Sequence, residues 1–208
     1  MTERPRLRHF SMIRDFHLAD VFTLANGGCG TAAIFLAMEH VREARADRVY
    51  LGGLLVVAAL VFDVLDGRVA RWRHKASPLG RELDSLADVI SFGVAPACLA
   101  YAIGMSGGWD TLVLLYFVAC GISRLARYNV TAETLATAGK VRYFEGTPIP
   151  TSIVLVGLLV VLTWLGRTGP SLPLGGVSIG PLALHPLVLL FALSGSLMIS
   201  KTLRVPKP

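Results

Sequence analysis

Residues 63–88 read DVLDGRVARWRHKASPLGRELDSLAD, with four aspartates and six basic residues counting His74. The stretch lies between two long apolar runs in a 208-residue chain that is 53% hydrophobic and only 16% charged. A soluble domain usually carries nearer a quarter of its residues as charge. The apolar runs are roughly 18–22 residues long, enough to cross a bilayer core. They predict spans at about 20–39, 49–66, 82–103, 109–127, 149–166 and 182–200. The expected fold is therefore all-α and polytopic, with six transmembrane helices over 20–208. Residues 1–19 precede them. There Leu7, Phe10, Ile13 and Phe16 recur every third residue among Arg8, His9, Arg14 and Asp15, which predicts an amphipathic helix lying in the membrane interface.

Charge sets the orientation. With six spans both termini share one side, and sixteen of the twenty Lys and Arg fall there. That bias predicts cytoplasmic termini, with residues 63–88 on the same side. Arg42, Arg45 and Arg48 dissent, partly balanced by Glu43 and Asp47. The net charge of +6 follows from this asymmetry and from anionic lipid; without interleaved aromatics and basics it does not point to nucleic acid. The first 18 residues are too polar for the apolar region of a signal peptide. Cys29, Cys98 and Cys120 fall in apolar runs without ligand spacing and read as packing residues.

At helical spacing the aspartates sort onto two faces. Asp63, Asp66, Gly67 and Ala70 stand at i, i+3, i+4 and i+7 of one helix, with Arg71 at the edge. Gly80, Asp84 and Asp88 stand at i, i+4 and i+8 of the next. The short connection makes the two helices antiparallel neighbours whose carboxylates meet near the cytoplasmic boundary. Four carboxylates in a low dielectric repel, so either protons or cations neutralise them. An all-oxygen set suits a hard ion such as Mg²⁺, Mn²⁺ or Ca²⁺, and two such ions suit displacement at phosphorus. Small residues on the same faces leave room for a ligand, and Arg71 suits phosphate oxygens. Ionisable residues cluster in this third of the spans, and the outer halves are expected to carry none.

These positions fill D-x2-D-G-x2-A-R-x8-G-x3-D-x3-D without a gap, and the chain resembles the CDP-alcohol phosphatidyltransferase family over nearly its whole length. The resemblance implies that Asp63, Asp66 and Asp84 ligate two divalent cations, Mg²⁺ or Mn²⁺, with Ca²⁺ as a non-productive occupant. Asp88 would touch a metal and act as general base. Asp66, Gly67, Ala70, Arg71 and Gly80 would bind the CDP moiety, and Asn26, an amide within the first span, is a candidate to hydrogen-bond the nucleotide or the acceptor. A homodimer is implied as well. Within the family, TLANGGCG (23–30), ELDSLADVISFGVAPA (82–97), RLARYN (124–129) and YFEGTPIP (143–150) are similar to the integral-membrane phosphatidylserine synthases. Ala25 and Tyr128 depart mildly from that pattern and remove no ligand. The implied substrates are CDP-diacylglycerol, embedded in membrane lipid, and L-serine. Arg124 and Arg127 are candidates for the serine carboxylate and Glu145 for its ammonium.

Other acceptors, glycerol 3-phosphate or inositol phosphate, are not excluded by the basic residues alone, and the spans do not distinguish acyl from archaeal ether tails. A divalent-cation transporter would need polar residues through the full membrane thickness.

Overall fold

The computed structural model describes residues 18–72, 78–138, 143–200 and 204–206. The expected interfacial helix at 1–19 lies outside the described residues, apart from its last two. Helix α1 (Leu18–Glu43) turns directly into α2 (Ala46–Trp72). A second rod begins as α3 (Pro78–Asp88), passes through a π-helical segment (Val89–Val94) and ends as α4 (Ala95–Ala102). Then follow α5 (Gly108–Ala138), α6 (Ile153–Trp164) and α7 (Leu189–Ile199). Four stretches, Ala19–Glu43, Ala46–Val69, Leu79–Ala102 and Gly108–Thr131, are long and apolar enough to cross a membrane.

Two shorter apolar helices, Ile149–Trp164 and Pro186–Ile199, complete the bundle. At 1.5 Å per residue they reach only about 24 and about 21 Å, against a hydrocarbon core of about 30 Å. The span expected from 182 starts late because Leu182–Leu184 (β3) instead pairs with Val177–Ile179 (β2) in a hairpin. Large apolar side chains such as Leu54, Val61, Leu115 and Leu193 face outward, as lipid contact requires. The α3–α4 rod is the central one: 56% of its apolar stretch is buried, against 28–33% for the other three.

α1 packs extensively on α2 and also on α3, the π segment and α4. The aspartate faces of α2 and α3 meet as the sequence leads one to expect, with one carboxylate oxygen each of Asp63, Asp66 and Asp84 close together. The two aspartate faces therefore look across a cleft with α1 as its wall. Close approach on that wall depends on Gly30, where a Cβ would come within 2.6 Å of the Ser91 Cα. Ser91, fully buried, donates its hydroxyl to the Asn26 carbonyl at 2.9 Å. The π turn has an identifiable cause. Pro96 lacks an N–H and its ring crowds the carbonyl four residues back. The chain widens by one residue, with Ala95 N–H bonding the Ile90 carbonyl.

Elsewhere α7 packs on α5 through an edge-to-face Phe117–Phe191 pair at 5.2 Å and through Gly195, whose missing Cβ lets α7 approach the Phe117 backbone. The loop joining α1 and α2 neutralises its own arginines: Arg45 pairs with Asp47 at 2.7 Å and Arg48 with Glu39 at 3.1 Å. The cysteines are free thiols.

The expectation that the outer halves carry no ionisable group is corrected by Asp110, at the start of α5 and fully buried. It accepts from the amides of Gly107 at 2.9 Å and His185 at 2.7 Å, and the His185 Nδ1 lies 2.6 Å away. Its burial is tolerated because three polar nitrogens satisfy it, an arrangement made by residues 75 positions apart and invisible to a reading of each span alone.

The Gly30 approach is directly testable. Gly30→Ala forces the backbones of α1 and the π segment apart, an overpacking cost of about 1–3 kcal/mol, and is expected to lower the thermal midpoint of the purified protein. Gly28→Ala, where a Cβ meets nothing within 4 Å, is expected to leave it unchanged or raise it. The reverse ranking would contradict this packing.

Candidate active site

Asp63 and Asp66 lie one turn apart near the end of α2; Asp84 lies on α3 across the cleft. One carboxylate oxygen from each of the three stands within 4.8 Å of the others. Asp66 is buried, and Asp63 and Asp84 are half-buried. Two unit charges at that separation repel by about 3 kcal/mol even at an effective dielectric of about 20. The cluster therefore needs compensating protons or cations.

Asp88, one turn beyond Asp84, stands outside this trio. It is 7% exposed, and its Oδ1 accepts from the Asn26 side-chain amide at 3.1 Å. Asp66 is held from the same helix, with the Thr23 hydroxyl 2.8 Å from its Oδ2.

The donor set fits a hard divalent cation. It is all oxygen, and Asp84 Oδ1 is buried with no hydrogen-bond partner among the described residues, a costly state that coordination removes. Two further buried polar atoms of this region, Asn26 Oδ1 and Arg124 Nε, have no hydrogen-bond partner among the described residues. Asn26 bonds Asp88 through its other end, and Arg124 lies within electrostatic reach of Asp88. Buried polar groups are rarely left unpaired unless something else satisfies them.

The remaining expected residues divide clearly. Gly67 faces open space, since a Cβ there would meet no atom within 4 Å. Gly80 stands one turn before Asp84 on the same face. Arg124 is half-buried, whereas Arg127, three residues on, is exposed. The backbone of Ala70 and Arg71 continues α2, and their side chains lie outside the described part of the structure. Glu145 ends a three-residue strand β1 (Tyr143–Glu145) that pairs antiparallel with β4 (Arg204–Pro206), placing Glu145 opposite Arg204; its side chain is likewise not described. After it, Gly146 turns with φ +74° against the Met198 carbonyl, a turn and a closeness that only glycine allows. The chain's end thus braces the segment that carries Glu145.

Four residues were not singled out from the sequence. Thr23 and Ser91 look like ordinary span hydroxyls. Asp20, 3% exposed, lies near enough to Asp66 to interact electrostatically with it. Asn129 donates to Ser85 at 3.0 Å, tying the end of α5 to α3. The available signal was spacing: Asp20, Thr23 and Asn26 recur every third residue along one face of α1.

A family model described as CDP-alcohol phosphatidyltransferase matches residues 16–194. The chain is 42% identical over 204 residues to the CDP-diacylglycerol–serine O-phosphatidyltransferase of Saccharomyces cerevisiae, covering 96% of this chain and 74% of that protein. The Helicobacter pylori enzyme of the same name is 44% identical over 133 residues, covering 63% of this chain and 54% of the relative. An archaetidylserine synthase of Methanothermobacter thermautotrophicus is 38% identical over 142 residues, 67% of this chain and 55% of that protein. The match runs from the start of α1 into α7 and takes in every aspartate of the cleft, so the chain is a member of the CDP-alcohol phosphatidyltransferase family.

Proposed function

We propose that this protein transfers the phosphatidyl group of CDP-diacylglycerol to the hydroxyl of L-serine, giving phosphatidylserine and CMP. The observation that carries the reading is the three-carboxylate cluster at 4.8 Å within a chain of this family. In this reading Asp63, Asp66 and Asp84 hold two divalent cations, Mg²⁺ or Mn²⁺, with Asp88 at the edge of the set. Such ions, when bound, neutralise the cluster and polarise phosphoryl oxygens. The serine oxygen bonds to the β-phosphorus, the bond from that phosphorus to the CMP oxygen breaks, and CMP leaves with the electron pair. Asp88 takes the hydroxyl proton, a role that suits a carboxylate held by Asn26 beside the cluster. The open space at Gly67 accommodates the nucleotide, with Ala70, Gly80 and Asn26 alongside and Arg71 on its phosphates.

The serine carboxylate is assigned to Arg124, whose Nε is buried and has no hydrogen-bond partner among the described residues, with Arg127 secondary because it is exposed. Glu145 takes the ammonium. Serine is supported by what the relatives' names share, whereas those names differ in the lipid. Cytoplasmic termini and a cytoplasmic site follow from the Lys and Arg bias, sixteen of twenty falling on that side. An interfacial helix at 1–19, a membrane domain over 20–208 and a homodimer belong to the same reading.

Purified full-length protein given CDP-diacylglycerol, Mn²⁺ and a panel of acceptors is expected to release CMP with L-serine and not with glycerol 3-phosphate or inositol phosphate. Release with glycerol 3-phosphate and none with serine would overturn the acceptor assignment. Gly67→Ala is expected to keep the wild-type thermal midpoint while raising the KM for CDP-diacylglycerol about tenfold, because the new methyl enters ligand space rather than packing. An unchanged KM would remove Gly67 from the nucleotide site.

A further inference from the structure

Hydroxyls on the apolar helices mostly satisfy themselves. Thr31, Thr163 and Ser196 each donate to the carbonyl four residues back, at 2.8, 2.8 and 2.7 Å. Thr23 differs. Its distance to the Ala19 carbonyl is 3.2 Å, and its short contact, 2.8 Å, is with Asp66 Oδ2, 43 residues away on another helix. A threonine hydroxyl has one proton to donate, and an ionised carboxylate is the stronger acceptor. Both partners are secluded, Thr23 at 3% exposure and Asp66 at 6%.

One turn on, Asn26 makes the matching contact to Asp88 on the other side of the cleft. Among the described residues α1 packs on both α2 and α3. It therefore touches both groups of carboxylates, through Thr23 and through Asn26.

We propose that Thr23 is a positioning residue that fixes the rotamer of Asp66, and that Thr23 and Asn26 together make α1 the element that sets the geometry of the cation site. The inference rests on the metal-site reading above. A donor behind a ligating carboxylate orients it and typically changes metal affinity 10–100-fold when removed. Thr23 touches no reacting atom in this account and acts through Asp66.

The test is Mn²⁺ affinity of the full-length protein in lipid nanodiscs, read from the electron paramagnetic resonance signal of free Mn²⁺. Thr23→Val, which keeps the shape and loses the donor, is expected to weaken binding roughly tenfold or more. Thr23→Ser, which keeps the donor, is expected to bind as wild type, and the metal-free thermal midpoints of the two variants should agree. The valine variant's turnover should recover at high Mn²⁺, a shift in metal demand that a purely structural defect would not give. If Thr23→Val fails to fold, Thr23→Ala, which cannot overpack, carries the same expectation. Asp66→Asn separates the two levels. Binding that is lost in Asp66→Asn but unchanged in Thr23→Val overturns the role of Thr23 alone. Binding unchanged in both overturns the metal-site reading and this inference with it.

Discussion

Three carboxylates gathered within 4.8 Å at the end of apolar helices is the arrangement around which the rest of the molecule is organised. Left bare, the cluster would push its own helices apart, since each pair repels by an amount comparable with a sizeable share of a domain's net stability. The fold does not relieve this by spreading the groups. It holds Asp66 by Thr23 and Asp88 by Asn26, and leaves Asp84 Oδ1 buried without a donor among the described residues. Such a site is stable when something cationic completes it.

Holding the groups in place falls to the first helix. α1 meets α2, α3 and the π segment, and the small residues at the contacts let the backbones approach. Gly30 lets Ser91 reach the Asn26 carbonyl, and Asn26 in turn reaches Asp88. The π turn caused by Pro96 begins directly after Asp88, so the widened helix lies beside the catalytic carboxylate of the proposed mechanism. At the far end a different solution appears: Asp110 is fully buried but satisfied by three polar nitrogens, and it locks the β2–β3 hairpin to the start of α5.

The aspartate quartet was legible because helical spacing depends only on local geometry. Asp63 with Asp66, and Asp84 with Asp88, share faces whatever the rest of the chain does. The membrane class was legible for the same reason, since it needs only run length and composition. What the sequence did not disclose depends on which helix touches which. The packing of α1 on both aspartate helices is one such contact. The roles of Thr23 and Ser91 appear only once that packing is known, because a hydroxyl in an apolar run ordinarily bonds its own helix. The late start of the last helix and the pairing of residues 143–145 with 204–206 arise from strand contacts between segments that carry no strong β pattern. Arg124 and Arg127 looked equivalent at a spacing of three; only burial separates them.

The proposed mechanism requires the carboxylate cluster to be a site of uncompensated charge that divalent cations complete. Thermal unfolding of the purified protein with chelator and with Mn²⁺ tests it most directly, alongside a variant carrying Asp63→Asn, Asp66→Asn and Asp84→Asn. The wild-type midpoint should fall in chelator and rise with Mn²⁺, while the triple variant should ignore the metal and be the more stable of the two in chelator. A wild type indifferent to both, or a triple variant that responds to Mn²⁺ as the wild type does, would contradict it.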